Sequence, residues 1–230
     1  MSRPTLLEIF PTIRGDTQSV KESHFLQVYE EIFSQFRDDT FTLVEFGVQA
    51  GGSAKLWIEY FPNVGVVGVD INVNQCTFEH ERFQLVQGDQ SDVGFLRDLG
   101  KSLRNVKVVI DDASHISAHQ IACLQTFFQL VETGGFYIVE DLQMSYRDDG
   151  EFWGGGRAHW GTCVEFTKWL IDVIHLRHVE GKGQYLSKRE RLFEGLTGMR
   201  VYPGLTILEK GNPEEHMLTG GFLSWKQPLP

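Results

Sequence analysis

Residues 42–53 run Thr42-Leu43-Val44-Glu45-Phe46-Gly47-Val48-Gln49-Ala50-Gly51-Gly52-Ser53. The first half is a short apolar run that reads as a buried strand ending in glycine. The second half is a glycine-rich loop that opens a helix from Ser53, with Leu56, Trp57 and Tyr60 facing inward. Strand, glycine turn and helix begin a βαβ unit, and the chain on either side continues the alternation. Downstream, 64–70 and 83–88 read as strands and 93–103 as a helix. The run at 106–110 enters Asp111-Asp112, a helix follows over 117–131, and 135–139 enters Glu140-Asp141. Upstream, 19–36 carries Phe25, Val28, Tyr29, Ile32 and Phe33 on one helical stripe, and residues 1–40 read as an N-terminal helical segment.

Strands that alternate with helices, several of them apolar on both faces, predict an α/β fold with a mostly parallel sheet. After a helix over 163–176, strands at 199–202 and 205–209 flank Pro203-Gly204, which predicts a C-terminal antiparallel hairpin. No repeat or linker interrupts the chain, so one domain is expected over 1–230. The glycine- and aromatic-rich stretch at 143–160 has no period and reads as a lid over a substrate, with Trp153 and Trp160 as flat apolar surface.

A formal charge of −10 makes the average field repel nucleic acid and anionic lipid, so neither is expected as a partner. Lys188-Arg189-Glu190-Arg191 is a local exception and reads as a solvated helix face. Cys76, Cys123 and Cys163 are odd in number and widely spaced, which predicts free thiols in a reducing compartment. No apolar run reaches membrane-spanning length and the N-terminus has no long apolar stretch, so a cytoplasmic protein is expected.

Chemistry gathers at the strand ends, where open α/β sheets bind ligands. Four of those ends carry acids: Glu45, Asp70, Asp111-Asp112 and Glu140-Asp141. The loop at 45–53 permits a tight turn and close backbone approach, although a plain βα turn would look the same. Its G-x-x-x-G-G spacing, in place of G-x-G-x-x-G, disfavours a nicotinamide or flavin. Asp70 suits ribose hydroxyls, whether of a nucleotide or of S-adenosylmethionine. Asp89 and Gln90 are placed for an adenine, with a helix N-cap as the alternative for Asp89. The carboxylates around Asp112 and Glu140-Asp141 would repel one another, so a hard divalent cation is their natural neutraliser. His115, three residues after Asp112, can sit beside that cation as a base. His119 reads as a helix-surface residue or a partner behind the site, and Asp148 and Asp149 as solvated loop acids.

These motifs resemble those of the metal-dependent sugar O-methyltransferases of macrolide antibiotic biosynthesis, the tylosin and mycinamicin type. That group is related to the rhamnosyl O-methyltransferase and cephalosporin-tailoring group. The likeness rests on E-F-G-V-x-x-G-G-S at 45–53, Asp70, I-D-D-x-S-H at 110–115 and V-E-D-L-Q-x-S-Y at 139–146, and runs from Glu45 to about Trp160. It implies a Rossmann-like class I methyltransferase fold, a seven-stranded sheet with its last strand antiparallel. It further implies Mg²⁺ held by Asp112, Glu140 and Asp141, and His115 as general base. The S-adenosylmethionine site would comprise Glu45, Gly47, Ser53, Asp70, Asp89 and Gln90, with Gly51 and Gly52 in the same loop and Asp112 touching both cofactor and metal. A glycosylated small-molecule acceptor and a homo-oligomer are implied as well. The chain departs from the pattern in being short, with no N-terminal auxiliary domain expected, and in its loop at 147–160. Methylation of a catechol or phenol is the rival enzyme reading, and a non-catalytic nucleotide-binding protein of the same fold is the rival class.

Overall fold

The structure, a computed structural model, describes residues 3–17, 21–147, 151–176 and 186–212. Strands β1 (Phe41–Phe46), β2 (Val64–Asp70), β3 (Phe83–Gln87), β4 (Val106–Asp111), β5 (Val131–Val139), β6 (Leu196–Tyr202) and β7 (Leu205–Lys210) form one sheet. Its order is β3-β2-β1-β4-β5-β7-β6. β1 to β5 pair in parallel, whereas β7 runs antiparallel to both β5 and β6. The order reverses between β1 and β4, so a crevice opens there at the carboxyl ends of the strands. The expected hairpin is present, and its Leu205, Ile207 and Leu208 are buried.

Period-two alternation sends neighbouring residues of each strand to opposite faces, and each face has its own core. Leu43, Val66, Val108, Ile110 and Ile138 pack beneath α1 (Leu6–Thr17), α2 (Ser23–Phe33) and α3 (Gly52–Tyr60). Val44, Phe46, Val109, Tyr137 and Val139 pack against α5 (Ser117–Phe127) and α6 (Cys163–Leu176), with Leu96 of α4 (Val93–Ser102) at one side. The first core is unusually aromatic. Phe33 is fully buried, with Tyr29, Phe36, Trp57 and Phe61 all within 5.8 Å of its ring centroid.

Helix boundaries differ from the expectations where the apolar pattern runs through a change of state. The stripe at 19–36 is α2 followed by a 3₁₀ turn over Ser34–Phe36, with 19 and 20 outside the described residues. The helix expected to reach residue 131 ends at Phe127, passes through a 3₁₀ turn, and hands Val131 to β5, where it pairs with Val106. Within 1–40, α1 forms despite Pro11 because Leu6, Ile9 and Ile13 share a helical face and are buried. Lys188–Arg191 form a short helix capped by Ser187 and Glu190 in a capping box, and its basic residues are exposed.

Because Phe33 anchors four aromatic neighbours, Phe33→Ala is expected to lower stability by about 3–5 kcal/mol. Urea unfolding followed by tryptophan fluorescence measures this, and a loss under about 1 kcal/mol would mean that this core collapses around the gap.

Candidate active site

Alternation decides which acids meet. Ile110 faces the α1–α3 side, so Asp111 faces the other side and Asp112 returns to the first. The same count carries Glu45 and Glu140 to that first side. Glu45, Asp112 and Glu140 therefore converge from three adjacent strands, and a cation meets them. Lys21, just ahead of α2, places Nζ 2.6 Å from Glu140 Oε1, 2.9 Å from Asp112 Oδ2 and 4.0 Å from Glu45 Oε1. Tyr29 donates its hydroxyl to the same Glu140 oxygen at 2.6 Å. Glu45 accepts from Ser53 Oγ at 2.7 Å and Trp57 Nε1 at 3.1 Å, tying β1 to the start of α3.

One ammonium shared by three carboxylates leaves negative charge in excess. Burial pushes the Glu45 carboxyl up to about 7, despite the pull of Lys21 and the bond from Ser53. Burial and then the like charge of Asp112 push Glu140 upward as well. Burial alone would pull the Lys21 ammonium down, but Asp112, Glu140 and Glu45 outweigh it and hold its pKa above the ordinary lysine value.

Asp112 is also the link to a second group. One ligand atom each of Asp112, His115 and Asp141 lie within 4.8 Å of one another. His115 Nε2 is 3.5 Å from Asp141 Oδ2, and its buried Nδ1 has no hydrogen-bond partner among the described residues. His115 and Asp141 both sit at φ 55°, in the left-handed region. Such backbone costs of order 1–3 kcal/mol per residue and is found where side-chain direction matters. The Asp141 turn is braced from two sides: Gln143 Nε2 donates to Asp141 Oδ1 at 2.7 Å, and Leu142 N donates to Gly204 O of the β6–β7 turn at 3.0 Å.

Two adjoining clefts open over these residues. The larger, about 370 Å³, lies along the ends of β1, β2, β3 and β4, and its walls include Gly47, Asp70, Asp89, Gln90, Asp112 and His119. The smaller, about 230 Å³, is lined by Lys21, Gly47, Gly52, Ser53, Asp112, His115 and Asp141 among others. Gly47, Gln49 and Asp112 belong to both. Asp70 shapes the larger cleft by accepting from Val48 N and Gln49 N through Oδ2 and from Asn72 N through Oδ1, each at 2.9 Å.

Most of the sequence-predicted residues thus reach one region, but not all face a cleft. Asp111 is buried in the opposite core, where it accepts from Gln90 Nε2 at 2.5 Å and Tyr137 OH at 3.3 Å, and burial pushes its pKa up to about 7. Glu45 lies beneath the glycine loop and lines neither cleft. Gln90 is buried at the cleft wall, its amide shared between Asp111 and Ser114. Gly51, at φ 93°, lets the loop pass Cys76 and Phe78, and a Cβ there would come within 2.6 Å of Phe78 Cβ. Gly47, at φ 90°, packs against the backbone of Asp112 and Ala113. Both glycines let neighbouring chain pass closely, and Gly47 also lines both clefts.

Sequence reading missed Lys21 and Tyr29 as site residues; of its two readings of His119, helix surface or a partner behind the site, His119 lines the larger cleft with Nδ1 3.0 Å from Ser114 Oγ. Only charge bookkeeping could have signalled Lys21, since buried carboxylates gain from a cation placed among them. In the 143–160 stretch, Trp153 O accepts from Ser117 Oγ at 2.7 Å, while Phe152 and Trp160 are exposed, Trp160 by 85%. Asp148 and Asp149 lie outside the described residues. Among the described residues no helix is long and apolar enough to cross a membrane.

The fold is that of the class I methyltransferases. A mycinamycin-pathway methyltransferase, MycE, solved in complex with Mg, SAH and mycinamycin VI, superposes with a TM-score of 0.77 at 27% identity, over 97% of this chain and 58% of that one. The family model for rhamnosyl O-methyltransferase/CmcI matches residues 17–175, and the chain belongs to that family. A tetracenomycin-C rhamnosyl 2'-O-methyltransferase of Streptomyces olivaceus is 36% identical over 81% of this chain and 50% of its own length. The mycinamicin VI 2''-O-methyltransferase of Micromonospora griseorubida is 30% identical over 87% of this chain and 50% of its own. The chain spans about half the length of these curated relatives.

A methyl group at Gly47 would lie 2.1 Å from the Asp112 carbonyl oxygen, at a φ that side chains avoid. Gly47→Ala is therefore expected to cost more than about 1 kcal/mol of stability, and to displace the 112–115 turn. Calorimetric unfolding and the amide spectrum of 112–115 check both; an unperturbed spectrum would contradict the packing described.

Proposed function

We propose that this chain carries the catalytic site of an S-adenosylmethionine- and Mg²⁺-dependent O-methyltransferase that acts on a hydroxyl of a sugar, most simply a deoxysugar, in a natural product or glycoconjugate. The observation that carries this reading is the shared Asp112, which joins the Asp112–His115–Asp141 cluster to the cleft walled by Asp70 and Asp89. The named relatives act on glycosylated antibiotics, which supports the acceptor class.

The residues fit both groups. Carboxylates in excess over Lys21, with an imidazole nitrogen alongside, suit a hard divalent ion. Asp112 and Asp141 would hold it, with Glu140 behind them, bonded to Lys21 and Tyr29. Asp70 suits a ribose diol, and Asp89 and Gln90 the adenine end of the same cleft. Gly47 lines both clefts and Gly52 and Ser53 the smaller, backed by Glu45 and Gly51. When bound, the ion supplies Lewis acidity toward an acceptor hydroxyl and S-adenosylmethionine supplies the sulfonium methyl. His115 is the general base: its strained backbone aims the ring at Asp141, which orients it, and it takes the hydroxyl proton as the oxygen is alkylated. The 143–160 segment, with Phe152 and Trp160 exposed, offers rings for a sugar or polyketide to lie against. We place the protein in the cytoplasm, where its free thiols would stay reduced, and as a homo-oligomer.

Calorimetry is expected to give micromolar affinity for S-adenosylhomocysteine, about −8 kcal/mol, and no binding of NAD. Asp70→Ala should weaken that affinity by about 2–3 kcal/mol; binding of NAD in place of the methyl-donor product would refute the cofactor reading. With a rhamnosylated polyketide as acceptor, EDTA should abolish turnover and Mg²⁺ restore it, so full activity after exhaustive chelation would refute the metal.

His115→Ala should leave cofactor affinity nearly unchanged while kcat falls by about 10²–10⁴. Retention of most of kcat would show that the ion alone activates the hydroxyl.

A further inference from the structure

Lys21 is the cation of this centre, and it has no part in the reaction proposed. Its side chain is 1% exposed, and it comes from the segment before α2, 91 and 119 residues in sequence from Asp112 and Glu140. A buried ammonium persists only if carboxylates compensate it, and here the compensating atoms are Asp112 Oδ2 and Glu140 Oε1. Asp112 is simultaneously a member of the cluster that could hold a divalent ion. The ammonium and the ion thus draw on the same carboxylate charge, and each lowers the value of that charge to the other. Such coupling is reciprocal: whatever an ion loses through Lys21, Lys21 loses through the ion.

We propose that Lys21 is a built-in counter-ion of this metal centre, a positioning residue that keeps the acid cluster folded before metal binds and weakens the affinity for the divalent ion by competing for Asp112 and Glu140. The proposal rests on the metal reading and adds to it a residue that sets affinity. Without the Lys21 ammonium, a bound metal becomes the principal positive charge facing the acids. The centre then binds metal more tightly and depends on it for stability.

Mn²⁺ serves as the probe, its binding read by electron paramagnetic resonance at fixed pH, with thermal unfolding of each protein recorded with and without the ion. Lys21→Met keeps the length and removes the charge. It is expected to bind Mn²⁺ at least tenfold more tightly than wild type, to unfold at a lower temperature without metal, and to regain most of that loss with it. Lys21→Arg keeps the cation and is expected to stay within about threefold of wild-type affinity. If Lys21→Met folds only when Mn²⁺ is present, the proposal gains the same support. Wild type that binds Mn²⁺ while Lys21→Met binds it equally or more weakly overturns the counter-ion role and leaves the metal reading intact. A tenfold gain in Lys21→Arg overturns it too, since charge would not be the cause. If neither wild type nor Lys21→Met binds Mn²⁺, both readings fall together.

Discussion

Glu45 and Glu140 are buried on one side of the sheet with Asp112 half-buried beside them, and the Lys21 ammonium that offsets their charge organises the rest of this centre. Glu45, Asp112 and Glu140 arrive from β1, β4 and β5 because alternation and register bring them to the same side. The helices covering that side answer with donors: Lys21 before α2, Tyr29 within it, Ser53 and Trp57 from α3. Each of these contacts joins a strand end to a helical segment that meets it only on folding. The aromatic core beneath them excludes water, which makes each missing partner expensive and each present one orienting.

That arrangement explains what is legible in the sequence. Strand and helix order follows from apolar runs and glycine turns, and acids at strand ends point to the carboxyl edge of the sheet. Adjacent acids are harder to separate. Asp111 and Asp112 look equivalent as letters, yet the strand's period sends one to Gln90 and Tyr137 and the other to Lys21. Only a register anchored at Ile110, buried on a known face, distinguishes them. Lys21 carries no local signal, and Tyr29 reads only as one residue of an apolar stripe. The partners of Lys21 and Tyr29 lie far away in sequence, and a lone lysine before a helix resembles any surface lysine. Tertiary charge balance, not motif, assigns the lysine.

The same logic changes what the glycine loop means. Its glycines are expected from sequence to let a ligand approach the backbone. In the fold, Gly47 and Gly51 let strand ends and their loops approach one another, Gly47 against Asp112–Ala113 and Gly51 against Cys76–Phe78. That close packing holds the cleft-lining side chains in position, while Gly47 itself lines both clefts. Asp112 lies within van der Waals reach of the loop, so the two clefts share a wall and are not independent pockets. A charged group in one cleft would alter the electrostatic setting of the other through the shared Asp112 carboxylate.

The matched family region ends at residue 175, yet the site is braced from beyond it. Gly204 O, in the turn of the C-terminal hairpin, accepts from Leu142 N, immediately after the strained Asp141. Pro203 O in the same turn accepts from His24 Nε2 at 2.9 Å, three residues after Lys21. One two-residue turn therefore fixes both the left-handed bend that presents Asp141 and the segment that delivers the Lys21 ammonium. The strain at Asp141 can persist only where surrounding structure over-determines the bend, and the antiparallel pairing of β7 with β5 supplies that restraint. The hairpin thus shapes the site by position: it sets the geometry between Asp141, which lies beside His115, and the Lys21 cation that balances the acids.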